Sequence, residues 1–316
     1  MSKNLLKMIG KRILHSCVTI LLVTMFVFAL IQLVPGNPVA NYLGATASAE
    51  QIEYYTHLYG YDRPVLVQYF DWITGLFRGT MGQSISYQSE IADILIPRLG
   101  TTLTMVVPAF IIGTVLGVLL GVIAAQKRGS WIDSLVSFFA NVGVSIPMFW
   151  LGMMGMLFLG LRLHLLPTSG FVPITRDFGE WLRHMIMPII VMSLGVMAGF
   201  MRLARSSMLE VIRQDYVTTA KAKGVKKMDV TMKHQLRNAL IPIVTVMGSR
   251  LGTMVGSTVL IESLFGIPGL GSVMMNGISN RDFMLVANGV LIISIFVAIC
   301  NLVVDILYGV IDPRTR

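Results

Sequence analysis

The chain has 316 residues, 54% of them hydrophobic and only 13% charged, with a formal net charge of +9 and a mean hydropathy of +0.73. Soluble domains carry about 25% charged residues, so this composition excludes an ordinary globular enzyme and implies an integral membrane protein. The basic residues sit beside apolar runs, which ties the positive balance to membrane topology and not to nucleic acid.

The first element is an apolar run over 13–34, preceded by Lys3, Lys7, Lys11 and Arg12. At about 1.5 Å per residue it covers the roughly 30 Å hydrocarbon core. A cleaved signal is the competing reading. The run is longer than a signal's apolar region, and the small-residue site Ala47-Ser48-Ala49 lies well beyond it, so 1–34 is expected to be a cytoplasmic N-terminus and a retained helix. Residues 35–100 are the longest polar segment, richer in acids (Glu50, Glu53, Asp62, Asp71, Glu90, Asp93) than in bases, and are expected to form an external segment of short amphipathic pieces without a core of their own.

Five further spans are expected at about 101–125, 134–160, 185–204, 239–261 and 284–308. That makes 101–308 a five-helix core with a polar loop at 205–238, and leaves a short tail at 309–316. Pro108, Pro147, Pro188 and Pro242 fall in four of these spans, where neighbouring helices can tolerate a kink. Gly113-Gly117-Gly121 and Gly248-Gly252-Gly256 each offer a smooth face for another helix backbone. Cys17 and Cys300 lie inside apolar runs and imply no disulfide.

Seventeen Lys/Arg fall in 1–12, 126–133, 202–238 and 309–316, against seven in the segments on the opposite side. The fold class is therefore all-α integral membrane, with six transmembrane helices and both termini in the cytoplasm. Arg250 lies within the fifth span, too deep to snorkel fully. It is expected either to line a translocation path or to pair with a polar group of a neighbouring helix. Asp305 is a poor partner, being near the cytoplasmic end of the last span. Glu262, at the outer edge of the helix that holds Arg250, is a second candidate for the path, as a gate or as an anchor for the following loop.

Catalytic and cofactor chemistry is missing from the sequence. There is no G-x-x-x-x-G-K-[ST] phosphate loop. The five histidines are scattered without H-E-x-x-H, so no metal site is expected, and neither Ser145 nor Ser193 has a basic partner nearby. The 22 methionines could carry copper(I), but flexible gap-filling in a helix bundle is the favoured reading.

The most informative stretch is Asp215–Pro242, basic and polar between two apolar spans. Asp215 suits an N-cap, Tyr216–Lys223 a short helix, and Gly224 a left-handed stop. A second helix would then present Met228, Met232, Leu236 and Leu240 as an apolar stripe. Ala220 and Ala222 leave the first helix small-sided, so that another protein's surface could approach it closely.

The pattern D-Y-V-x-x-A-x-A-x-G followed by H-x-L-R-N-A-L-x-P resembles the cytoplasmic loop of ABC-importer permease subunits, in their dipeptide/oligopeptide/nickel branch. The general form of that loop, E-A-A-x-x-x-G then I-x-L-P, is replaced here by Thr218, Thr219, Ala220 and Gly224, then His234, Leu236 and Arg237. The run Tyr59–Pro64 with Gln68-Tyr69 and Trp72, the E-x-x-F-G-x-P-G-L-G from Glu262, the N-R-D-F from Asn280 and the ending N-L-V-V-D-I-L-Y-G-V-I-D-P-R resemble the same family, so the resemblance covers the whole chain. The family's G-D-x-G-x-S stands here as Gly79-Thr80-Met81-Gly82-Gln83-Ser84, and the missing aspartate leaves a specific role for that turn without support.

The resemblance implies a coupling helix that docks on an ATPase subunit, with Asp215, Tyr216, Thr219, Ala220, Ala222, Gly224, His234, Arg237 and Asn238 as the docking residues. It implies a cell inner membrane location and several partners: a second homologous permease completing a heterodimer, two ABC ATPases that carry ATP and Mg, and an external solute-binding protein. The chain itself would bind no cofactor and catalyse nothing. The implied cargo is a di- or oligopeptide, with nickel or a metal chelate as the alternative. A self-sufficient secondary transporter or channel is the reading from a different class; it would require intramembrane carboxylates for ion coupling.

Overall fold

The computed structural model describes residues 3–33, 38–44 and 47–311. The tail expected over 309–316 is helical to Ile311 and from 312 lies outside the described residues. In chain order the elements are α1 (Lys3–Gln32), α2 (Pro38–Leu43), α3 (Ala49–Leu58), α4 (Val65–Phe77), a two-residue hairpin β1 (Gln83–Ser84) and β2 (Ser89–Glu90), α5 (Ile91–Gln126), α6 (Trp131–Ser145), and α7 (Met148–Gly155), which runs on as a π-helical turn to Arg162. Then come α8 (Phe178–Ile212), α9 (Asp215–Ala222), α10 (Lys227–Asp229) with a π-helical segment Val230–Leu236, α11 (Arg237–Phe265), α12 (Leu270–Ser279) and α13 (Phe283–Ile311).

Among the described residues five helices are long and apolar enough to cross a bilayer; the sixth expected span, 134–160, is the pair α6 and α7, bent by 98°. The cause is Pro147. Its ring excludes the helical conformation from the preceding residue, and Ile146 is extended at φ −81°, ψ 128°. Pro108, Pro188 and Pro242 lie within unbroken helices. The spans also outrun their sequence estimates: α5 begins at Ile91 and α8 reaches from Phe178 to Ile212.

The bundle is built around one close helix pair. A side chain at Gly113, Gly117 or Gly121 would press on the Ser193, Met197 or Met201 carbonyl oxygen, at 2.7, 2.6 and 2.5 Å respectively. The two series ascend together, so α5 and α8 run in the same direction. The chain must recross the layer between them, and the bent pair is what lies there. On the other side Gly248 meets Asn301 and Gly252 meets Val297, an antiparallel match of α11 with α13, while Gly256 faces open space. Arg12 meets Asp305 and Gln126 meets Gln235, and with α11 antiparallel to α13 this brings the first half of α1, the last turns of α13, the end of α5 and the 215–238 loop to one end of the bundle. The core is rich in methionine: Met105, Met185, Met187, Met192 and Met254 are all under 5% exposed. On α1, by contrast, Leu14, Leu22 and Phe26 are more than half exposed, a face suited to lipid.

The 35–100 segment packs on the far end of the bundle. Trp72 stacks on Phe28 and donates to the Asn288 side chain at 3.1 Å, and the Asn288 amide in turn donates to the Met81 carbonyl at 3.0 Å. The Ser84 hydroxyl and the Ser86 N–H both donate to the Asp282 carboxylate, at 2.5 and 3.0 Å. The Gly79–Ser84 turn therefore has a definite structural role, clamped to the start of α13, despite the aspartate it lacks.

Candidate functional site

The exposed end of the bundle carries the candidate docking surface. Asp215 is the first residue of α9, where its charge suits the helix's positive end. It is not the cap: Gln214 holds that position, with no side-chain capping bond. Gly224 stops the helix at φ +77°, as its lack of a Cβ allows. Val217 and Ala220 are buried against Val230 and Val211, which fixes how α9 sits on the bundle. Ala220 is thus a structural contact and not part of the outward face, contrary to the sequence expectation. What faces out is Asp215, Thr218, Thr219 and Ala222, spaced to lie along one side.

The expected stripe of Met228, Met232, Leu236 and Leu240 does not form the buried face. Met228 and Met232 are 72% and 52% exposed, while Val230, Gln235 and Ala239 point inward. The reason is the π-helical segment Val230–Leu236, whose wider turn brings residues five apart into line. Sequence periodicity assumed 3.6 residues per turn, and the register drifted.

Tyr216, His234 and Asn238 are brought together. The Tyr216 hydroxyl reaches the His234 carbonyl at 3.4 Å, and the Asn238 amide donates to the same oxygen at 2.8 Å. Partial burial raises the Tyr216 pKa, opposed by its hydrogen bond with Asn238. Arg237 is exposed beside them. Behind this surface Gln126 donates to Gln235 at 2.6 Å and to Thr231 at 3.2 Å, tying the end of α5 to the loop. Nearby, Arg205 holds Asp133 in a two-pronged ion pair, at 2.6 and 2.9 Å, joining α8 to α6. Sequence reading counted Arg205 only as a topology charge and missed Gln126, Gln235 and Asp133; their one signal was polarity at positions next to the spans.

Arg250 opens onto a cavity of about 570 Å³ that it shares with Arg202, Ser206, Thr253 and Ser257, under the α6–α7 bend. Among the described residues no carboxylate pairs with Arg250, and Asp305 is 3.2 Å from Arg12 instead.

Glu262 is elsewhere. It is fully buried, accepting from the Thr102 hydroxyl at 2.6 Å and the Ser272 N–H at 2.8 Å, while Thr102 accepts from the Leu270 N–H at 2.8 Å. Gly269 lies so close that a Cβ there would collide with the carboxylate. Glu262 therefore holds the turn after α11, the anchor of the two roles the sequence offered for it, and is not among the residues lining the cavity of Arg250. Its burial follows from Gly266, which leaves the helix in the left-handed conformation and folds the chain back over it.

Comparison with known proteins covers nearly the whole chain. A family model described as the binding-protein-dependent transport system inner membrane component matches residues 117–316, and a model of that component's N-terminal part matches 5–106. A putative peptide permease protein of Brucella suis biovar 1 is 37% identical over 310 residues, covering 96% of this chain and 97% of the relative. The dipeptide transport system permease protein DppB of Escherichia coli K12 is 36% identical over 318 residues, covering 93% and 94%. Among solved structures, an inward-facing MetNI methionine ABC transporter matches with a TM-score of 0.54 at 20% identity, over 69% of this chain and 96% of that one, a likeness of fold.

Proposed function

The chain belongs to the family of binding-protein-dependent transport system inner membrane components, and from that premise we propose that it is the permease subunit of an ATP-driven importer of di- or oligopeptides. As a member of the family it is a multi-pass protein of the inner membrane. The peptide cargo rests on the relatives named for it, from Brucella and Escherichia coli, which favour it over a nickel or metal-chelate cargo.

The observation that carries the mechanism is the exposed face of α9, held rigidly from behind by Val217 and Ala220. A short helix fixed at its back and bare at its front suits a receptor for force applied by another subunit. The basic bias of 202–238 assigns that end to the cytoplasm, where ATP is available. Two ATPase subunits, carrying ATP and Mg, would grip Asp215, Thr219 and Ala222, with Tyr216, His234, Arg237 and Asn238 behind them. Closure of the ATPase pair would then bias the bundle between inward-open and outward-open states. A second, homologous permease would complete the pore, and an external solute-binding protein would deliver cargo. Arg250 and Arg202 would line this chain's half of the path, meeting the carboxylate that every free peptide carries.

A secondary transporter would need an available intramembrane carboxylate. Glu262 is enclosed by its own loop, and Asp305 is engaged by Arg12. The test is reconstitution with the ATPases, the second permease and the binding protein. Peptide uptake is expected to require ATP and to fall when Arg250 is replaced by Met at equal expression. Uptake by this chain alone in ATPase-free liposomes would overturn the reading.

A further inference from the structure

A second polar hollow lies at the docking end, apart from the cavity of Arg250. Its volume is about 520 Å³, and it is enclosed by the ends of α5 and α8, the side of α9 and the start of the π-helical segment. Four cations line it: Arg128, Arg213, Lys221 and Lys227. No carboxylate does, and none of the four is in an ion pair among the described residues. Of the acids close to these cations along the chain, Asp229 is paired with Lys233, while Glu210 and Asp215 are exposed and do not line the hollow; on α6, Asp133 is held by Arg205.

The carbonyl ends of α5 and α8 offset part of this charge, but four like charges around one hollow repel each other unless an anion sits among them. The level of the hollow in the bilayer indicates which anion. It opens where two spanning helices end, and three residues after Arg128 stands Trp131, 73% exposed. An exposed tryptophan at the end of a span marks the membrane–water interface, where lipid phosphates lie. Leu209, Ile212, Val225 and Val230 give the wall an aliphatic part beside the polar Gln126, Thr231 and Gln235, a mixture that suits a glycerol backbone with its ester groups better than a free ion.

We propose that this hollow is a binding site for the phosphate headgroup of an anionic phospholipid, held between the ends of the spans and the back of α9. The site does not depend on the cargo or on the ATPase-docking reading. An occupied headgroup would brace Arg213 and Lys221 together, so that anionic lipid stiffens the joint between α8 and α9.

The test uses the assembled transporter in nanodiscs of neutral lipid doped with phosphatidylglycerol, with lipid retention read by native mass spectrometry. Phosphatidylglycerol is expected to be retained over neutral lipid. Each of R128Q, R213Q and K227Q should weaken retention about fivefold, the factor that about 1 kcal/mol per basic side chain at a charged lipid surface implies. Lys226→Gln removes the same charge one residue away, outside the hollow, and should leave retention unchanged. Equal loss in K226Q would reduce the effect to diffuse surface charge and overturn the site. Displacement by millimolar inorganic phosphate would assign the hollow to a soluble anion and overturn the lipid. Retention present without the ATPases but abolished with them would assign the cations to an acidic protein surface, which also overturns the proposal.

Discussion

The two ends of the bundle solve opposite problems. At the end that carries the 35–100 segment, polar groups are enclosed and satisfied within the chain: Glu262 by Thr102 and Ser272, Asp282 by Ser84 and Ser86, Asn288 by Trp72 and Met81. At the other end α9 is bare along one side, Met228 and Met232 are exposed, and four cations surround a hollow with no acid in it. A buried polar group is costly unless it is bonded, and at the first end these three are bonded within the chain, although the buried Ser86 hydroxyl beside them is not. The second is complete only in the presence of something else.

Substitutions separate the two ends by size of effect. Glu262→Ala strands the Thr102 hydroxyl and the Ser272 N–H, and should destabilise the protein by about 2–5 kcal/mol, read as denaturant unfolding of the purified transporter; a change near zero would mean the clasp is ornamental. Next comes Asp282→Ala, at about 2 kcal/mol, with faster proteolysis between 79 and 90 as its local signature. At the docking end Asn238→Ala, which removes one partly exposed bond, should cost about 1 kcal/mol or less. Ala222→Trp should move stability by less than about 0.5 kcal/mol, as an exposed substitution, yet sharply reduce co-purification of the ATPases. If it unfolds the protein instead, the bare face of α9 is not bare.

The smallest effect belongs to an exposed pair on the outer segment. The hydrogen bond between His57 and Asp62 holds the Asp62 carboxyl below the usual carboxylate range. A depressed folded pKa means that any stabilisation is present above about pH 4 and is lost as pH falls through the folded value. Asp62 is open to solvent, so His57→Ala should leave the unfolding midpoint at neutral pH unchanged, and a large shift would show that this segment is tighter than its exposure implies.

Much of this was legible in sequence because membrane solvent makes the pattern coarse. Apolar runs located the spans, Gly113-Gly117-Gly121 announced a close helix contact, and Gly224 ended its helix as its flexibility suggests. What was hidden depends on distance through space. Periodicity cannot report that Val230–Leu236 winds wider than an α-helix, so the single stripe it drew through Met228, Met232, Leu236 and Leu240 is not the face that packs inward. Nor can a lone Pro147 announce a 98° bend, since Pro108, Pro188 and Pro242 occur in unbroken helices. Glu262 read as a charge near a pore because nothing in its neighbourhood along the chain reveals Thr102, which lies 160 residues away.

The interlock of Gly113, Gly117 and Gly121 with the backbone of α8 has a mechanical consequence. Two struts meshed at three successive turns cannot slide or roll separately without lifting apart, so α5 and α8 behave as a single beam. Because α9 is bolted to the end of that beam, a shove delivered there travels its length without being absorbed along the way, and the compliance of the molecule must reside in the elements it swings against.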